Sequence, residues 1–403
     1  MTCGVKVLSY KNQNSFTRST SGAIIIGGHV QGLANTRSLG KEGISVYVID
    51  TDNCIARYSK YCQKFFYCPS FNSDELVFFL INLAHRENTL GWLLLPSNDH
   101  AVFTISKNKK KLSEYYRIAT SDYEIFANVY DKSKLIDLAI QAGIPAPKTY
   151  DCEEVTDKTS FPLIIRGKYG MDFHRRFGKK AIVSDSYRNY ELLISDVNKN
   201  YDINDLLIQE LLPFNRNNRV VFCILYIVNG EILRSFVCQR IREHPFRNGT
   251  STIIKAIKNE EVVEYSKKLA QITGLQGIIE CEYLWDLRTS RYCLIEINVR
   301  TCLQIGLPIE LDFNFPYLLY QSLVEELRPE TKNNDYDELY WIHFWVDIAF
   351  GIVGLLKKEY SVRELLEPYK KKHVYAVYNK GDILPFIMET LMLPYLAVKR
   401  QVI

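Results

Sequence analysis

The sequence has no CxxC pair, no long low-complexity tract, no internal repeat, and no apolar run comfortably long enough to cross a bilayer. Its ten cysteines, Cys3, Cys54, Cys62, Cys68, Cys152, Cys223, Cys238, Cys281, Cys293 and Cys302, are scattered. They form neither a small-domain disulfide framework nor a zinc spacing, so reduced thiols are expected. Met1 to Thr20 is polar and rich in Ser and Thr, without the basic start and apolar stretch of a secretory signal, so a cytoplasmic protein is expected. Charge of one sign is also scarce, with a net +4 over 403 residues. Lys and Arg are spread out except between Lys107 and Lys111, which reads as a solvated helix face, and no nucleic-acid partner is expected. The most apolar window, Tyr340 to Leu356, contains His343 and Asp347 and reads as a buried helix, so no membrane span is expected.

What is present is a globular composition, 47% hydrophobic and 24% charged, on a chain too long for one ordinary core. Ala23 to Ile26 is an apolar run stopped by Gly27-Gly28. A helical stretch bearing Gly32 and Leu33 follows, then the strand Val46 to Ile49, closed by Asp50. With a third strand at Trp92 to Leu95 ending in Pro96 to Asp99, residues 21–130 read as a parallel α/β domain after a polar leader, 1–20. The glycines only approximate GxGxxG; with Asp50 they leave open either a nicotinamide-dependent oxidoreductase or a purely structural tight turn. A new unit starts with the helix after Asp131. It continues through short strands at Leu163 to Arg166, Ala181 to Val183 and Leu206 to Gln209, and a hairpin turning at Asn229-Gly230. A helix over Val262 to Ile272 and two strands, Gly277 to Tyr283 and Tyr292 to Asn298, complete it. The unit spans 131–325, Arg328 to Asp337 reads as a linker, and 326–403 as a helical C-terminal appendage.

Glu282, Glu296 and Asn298 carry the chemistry. Side chains alternate along a strand, so Glu296 and Asn298 share a face and Glu282 can join them across a hairpin. Three oxygen ligands among Ile279, Ile295 and Ile297 are costly unless a cation meets them, and Mg2+ bridging phosphates suits such a set. The run Leu294-Ile295-Glu296-Ile297-Asn298-Val299-Arg300 resembles the hydrophobic-Glu-hydrophobic-Asn-Pro-Arg strand of the ATP-grasp superfamily, to which carbamoyl phosphate synthetase and D-alanine:D-alanine ligase belong. Val299 stands where Pro is common. The resemblance implies that Glu282, Glu296 and Asn298 hold two Mg2+ ions, with Mn2+ able to substitute, and that Arg300 clamps the transferred phosphoryl group.

Further matches follow in family order. Phe161-Pro162-Leu163-Ile164-Ile165-Arg166 resembles the lid strand whose cation binds an ATP phosphate, implying Arg166 or the neighbouring Lys168; Gly167 replaces the usual Pro, and Gly170 to Gly178 would be the loop over the phosphates. Lys180 resembles the second lid lysine. Leu207-Ile208-Gln209-Glu210-Leu211-Leu212-Pro213 resembles the hinge that pairs with adenine, implying Gln209, Glu210 and Leu212, and Asn215 to Asn218 stand where a ribose-binding acid is usual. The expected architecture is thus multidomain α/β and α+β: a pre-ATP-grasp domain, an ATP-grasp fold with a lid at about 155–212, and the helical appendage. The implied activity is that of an ATP-dependent carboxylate-amine ligase, with small-molecule carboxylate and amine substrates, a homodimer among the expected assemblies, and Arg240, Arg242 and Arg300 neutralising the reacting carboxylate. A non-catalytic nucleotide-binding module is the remaining alternative. The tail Gly381-Asp382-Ile383-Leu384-Pro385-Phe386 resembles the end of bacterial carboxylate-amine ligase-like proteins.

Overall fold

The computed structural model describes residues 21–213, 220–244, 249–329 and 335–399. The polar leader and Asn215 to Asn218 lie outside the described residues.

The first sheet has the order β3-β2-β1-β4-β5, formed by β1 (Gly22–Ile26), β2 (Ser45–Asp50), β3 (Cys62–Tyr67), β4 (Leu93–Pro96) and β5 (Arg117–Ile118), all parallel. Ala23 to Ile26 are fully buried because helices cover both faces, which is why β1 reads as an unbroken apolar run. The glycines after it answer to packing. Gly27 has a φ of 94°, and a Cβ on Gly32 would sit 2.0 Å from the Gly27 carbonyl oxygen. Asp50 accepts a 2.7 Å hydrogen bond from the Gly28 N–H. The chain order reverses between β1 and β4, and the loop after β4 delivers Asp99 to the crevice at that switch point.

The second sheet, β6-β9-β7-β8, contains β6 (Thr149–Tyr150), β7 (Leu163–Gly167), β8 (Ile182–Ser184) and β9 (Leu206–Glu210). Its own small core gathers Leu163, Ile165, Phe173, Tyr190 and Val197. The stretch expected as a loop, Gly170 to Gly178, is instead a helix over Gly170–Phe177. Phe173 accounts for it: fully buried, it packs so closely on Gly167 that a Cβ there would come within 2.7 Å of its own.

The third sheet, β14-β13-β10-β11-β12-β15-β16, comprises β10 (Val220–Val228), β11 (Glu231–His244), β12 (Thr250–Ala256), β13 (Gly277–Asp286), β14 (Arg291–Asn298), β15 (Tyr340–Ile342) and β16 (His373–Tyr375). Asn229 and Gly230, with φ of 51° and 77°, make the mirror-image turn that suits the twist of a two-residue hairpin. The helix Glu260–Thr273 covers one face, capped by Asn259 and stopped by Gly274 at a φ of 70°.

The C-terminal region is helical, with Phe344–Leu356, Val362–Leu366 and Leu384–Lys399, and it also gives β15 and β16 to the large sheet. The window expected as one buried helix is therefore split. Tyr340–Ile342 pairs at the edge of β12, and the helix from Phe344 leaves Ile352, Val353 and Leu356 exposed. Asp382 of the Gly381 to Phe386 motif stitches this region to the first domain. It accepts from Arg37 Nε at 2.8 Å, Ser59 Oγ at 2.7 Å and the Lys60 N–H at 2.9 Å. Among the described residues no helix is long and apolar enough to cross a membrane.

Candidate active site

A cleft of about 1930 Å³ opens between the β6 to β9 sheet and the face of the large sheet. Its floor is the β13-β14 ladder, where Glu282 lies directly opposite Glu296 and Glu280 opposite Asn298. The register shifts between Glu282 and Tyr283, where Ile295 is the extra residue on β14 and borders the cleft beside Glu296. The two carboxylates and the amide therefore share one face, in the register that the sequence pattern requires.

Cations surround this floor. Lys132, at the start of the helix capped by Asp131, makes a very short ion pair with Glu296. Arg240 from β11 donates to Glu282 at 3.1 Å, to Glu243 at 3.0 Å and to Ser251 at 2.9 Å. Arg300 forks onto Asp99 through Nε at 2.6 Å and Nη2 at 3.0 Å, and reaches Asn298 Oδ1 at 3.3 Å. Arg166 lies across the cleft on β7, donating to Gln209 Oε1 at 2.7 Å, while its buried Nε has no hydrogen-bond partner among the described residues. A buried guanidinium donor left unmatched in a cleft wall is an invitation to an anionic ligand.

The titrations follow from this setting. Burial works to raise the Glu296 carboxyl, but Lys132 and then Arg166 and Arg300 outweigh it and hold it near a pKa of about 2. Burial and the neighbouring Glu282 raise Glu280 to about 7. Burial lowers Arg166, with Glu296 and Glu282 working in the opposite direction, whereas for Arg300 the Asp99 pairing overcomes burial and raises it.

Of the residues picked from the sequence, Glu282, Glu296, Asn298, Arg300, Arg240, Arg166, Lys180, Gln209, Glu210 and Leu212 all border the cleft. Gln209 is buried and serves Arg166, while the Glu210 carboxylate takes the Lys148 N–H and Arg288. Lys168 does not border the cleft. Its backbone bonds to Asp205 and to Lys132 instead. Arg242 is likewise turned away. A register shift on β11 separates it from Arg240, and it pairs at 2.6 Å with the fully buried Asp347, which needs a countercharge. His244 stacks on Phe350 at 5.0 Å on that same far side. Sequence reasoning missed Lys132, Glu243, Gln304 and Glu280. Glu280 was legible, being two residues from Glu282 on the same strand face; the other three reach the cleft only through tertiary packing.

No family model matches the chain. Among solved structures, the biotin carboxylase of Campylobacter jejuni in complex with an ATP analogue superposes with a TM-score of 0.59 at 14% identity, covering 77% of this chain and 72% of that one. An L-amino acid ligase from Bacillus licheniformis gives 0.58 at 14% identity over 77% and 75%. N5-carboxyaminoimidazole ribonucleotide synthetase with ADP gives 0.60 at 14% identity over 84% and 85%. The chain has the ATP-grasp fold. A curated D-aspartate ligase of Enterococcus faecium is 21% identical over 250 residues, which is 58% of this chain and 59% of that protein. The alignment thus spans less than two thirds of the relative's length.

Proposed function

We propose that the protein is an ATP-dependent carboxylate-amine ligase in which at least one substrate is an amino acid. The observation that carries this reading is the direct pairing of Glu282 with Glu296, beside Asn298, on a cleft face ringed by Lys132, Arg166, Arg240 and Arg300. The relatives named as D-aspartate ligase and L-amino acid ligase support the substrate class.

Adjacent carboxylates with an amide oxygen form a hard donor set, fitting Mg2+ better than a thiophilic metal. Glu282, Glu296 and Asn298 would hold two such ions, or Mn2+ in their place. Bound there, the metal would neutralise phosphate charge and orient the ATP phosphates for transfer. The protein's own part is positioning. Arg166 and Lys180 on the lid draw the phosphates down. Lys132 meets Glu296 until that carboxylate is needed and then stands close enough to pair with a phosphate oxygen. Arg300, locked in orientation by Asp99, points its remaining donor capacity at the oxyanion that grows during transfer. A substrate carboxylate oxygen attacks the γ-phosphorus and ADP leaves, giving an acyl phosphate. An amine then attacks the acyl carbon, phosphate departs and the nitrogen loses a proton. Closure of the lid keeps water from that carbon between the two steps.

The cytoplasm, where ATP is at hand, is the compartment this reaction requires, and a homodimer is compatible with it. The dehydrogenase alternative loses ground because Asp50, the residue that would take a ribose, is spent on the Gly28 N–H. Hydroxylamine trapping tests the reading. Incubation with Mg-ATP, an amino acid and hydroxylamine should form an acyl hydroxamate in step with ADP. ADP release without hydroxamate would mean plain hydrolysis, and neither product with any amino acid would count against the proposal.

A further inference from the structure

The helix Phe344–Leu356 is apolar on almost every side, its one charged residue, Asp347, being buried against Arg242. A helix of that composition is ordinarily enclosed by a core. Here it is not. Ile352 is 54% exposed, Val353 41% and Leu356 79%, and the following short helix adds Val362 at 60% and Leu366 at 43%. The two helices form one unit: Leu365 packs on Gly351, and Tyr360 lies against Gly354 and donates to the Phe350 carbonyl. On the adjoining helix, Leu384, Ile387 and Leu391 recur at the spacing of one face and are all exposed. Trp345, one face-repeat from Ile348 and Ile352, stacks on Phe386 and donates to Thr390, so the apolar surfaces meet along that seam.

Cations bracket this surface. Lys357 and Lys358 follow Leu356 at one end of the helix. Lys370, Lys371 and Lys372 lie at the other, beside Tyr369, whose ring meets Phe344 edge-on. All five are exposed, and Lys357, Lys358, Lys370 and Lys372 make no ion pair among the described residues. With Arg363 they outnumber the local acids Glu359, Glu364 and Glu367.

We infer that this C-terminal face docks on an anionic lipid surface, lying in the headgroup region rather than spanning the bilayer. Exposed aliphatic and aromatic side chains enter the boundary with the acyl chains, and the lysines at both ends meet the negative headgroups. A second copy of the chain suits the surface less well, because a twofold contact through the apolar centre sets the lysines of two copies against each other. Charge complementarity therefore favours lipid over self. This inference does not depend on the proposed ligase activity. It would bring a soluble active cleft to substrates held at a membrane.

The test is flotation of the full chain with vesicles of pure phosphatidylcholine or of equimolar phosphatidylcholine and phosphatidylglycerol. Binding is expected to the anionic vesicles, weakening as salt rises, with roughly tenfold less partitioning to the neutral ones. Leu356→Ser should lower binding roughly tenfold, and Lys357→Glu with Lys358→Glu at least as much, while melting temperature stays unchanged because these side chains are exposed. No flotation with anionic vesicles at low salt would overturn the inference. So would equal binding by the wild type and both variants. A dimer in light scattering that Leu356→Ser dissociates, without vesicle binding, would assign the face to a second copy instead.

Discussion

Replacing Arg300 by lysine keeps a positive charge in the cleft and removes the fork. In the native site two nitrogens of one guanidinium engage both oxygens of Asp99, at 2.6 and 3.0 Å, and Nη2 also reaches Asn298 at 3.3 Å. Lysine can renew at most one of the Asp99 contacts and cannot at the same time face the cleft. Losing a hydrogen bond to a charged group costs about 1.5–3 kcal/mol. If that loss falls on the phosphoryl-transfer step, at about 1.4 kcal/mol per decade, turnover drops roughly 10- to 100-fold. The assay is ADP release under saturating ATP and amino acid, with KM for ATP measured alongside. Arg300→Lys should lower kcat by roughly 10- to 100-fold with KM for ATP moving less than about threefold. Asp99→Asn should move kcat in the same direction by less, since the arginine survives but loses its clamp. Unchanged kcat with a collapsed ATP affinity would make Arg300 a ground-state contact and refute the reasoning.

Three other outcomes follow from the same contacts. Arg242→Met should destabilise the protein by about 3–5 kcal/mol in urea unfolding by leaving Asp347 buried and unpaired, yet spare kcat of the folded fraction; a large fall in kcat at unchanged stability would return Arg242 to the cleft. Gly32→Ala should cost about 1–3 kcal/mol, because its Cβ must push on the Gly27 carbonyl oxygen at 2.0 Å, and a cost near zero would show that the turn can shift freely. Burial lowers His244 to about 4, with Asp347 opposing and Arg242 assisting, from an ordinary value of 6.5. The unfolded chain therefore binds a proton that the folded one refuses, so stability is present above about pH 6.5 and is lost as pH falls toward about 4. The span is about 3 kcal/mol, and His244→Gln should flatten that part of the curve.

The large sheet was legible because its signals are local. Alternation put Glu296 and Asn298 on one face, and Asn229-Gly230 is a turn that few other pairs can make. The strands of the four-stranded sheet were marked by short apolar runs of the right length. The helix at Gly170–Phe177 escaped because its reason is Phe173 packing on Gly167, a tertiary contact that no local pattern encodes. Arg240 and Arg242 looked equivalent in sequence, two residues apart on one strand. A register shift in β11 and the buried charge of Asp347 send them to opposite duties. Lys132 was invisible for a similar reason: its helix is capped by Asp131, and only the fold carries that helix end to Glu296. The C-terminal window was read as enclosed on composition alone. Its apolar outer side became evident only when the large sheet proved to cover one face of it.

The central claim is that Glu282 and Glu296 organise transfer of the ATP γ-phosphoryl group to a substrate carboxylate. Its most direct measurement is ADP release from Mg-ATP across a panel of amino acids, comparing the wild type with Glu296→Gln, a change that keeps volume and removes the charge. The account predicts ADP formation that depends on one particular carboxylate, is completed by an amine, and falls below detection in Glu296→Gln while the variant still unfolds cooperatively. ADP release indifferent to every carboxylate, or wild-type turnover in Glu296→Gln, would contradict it.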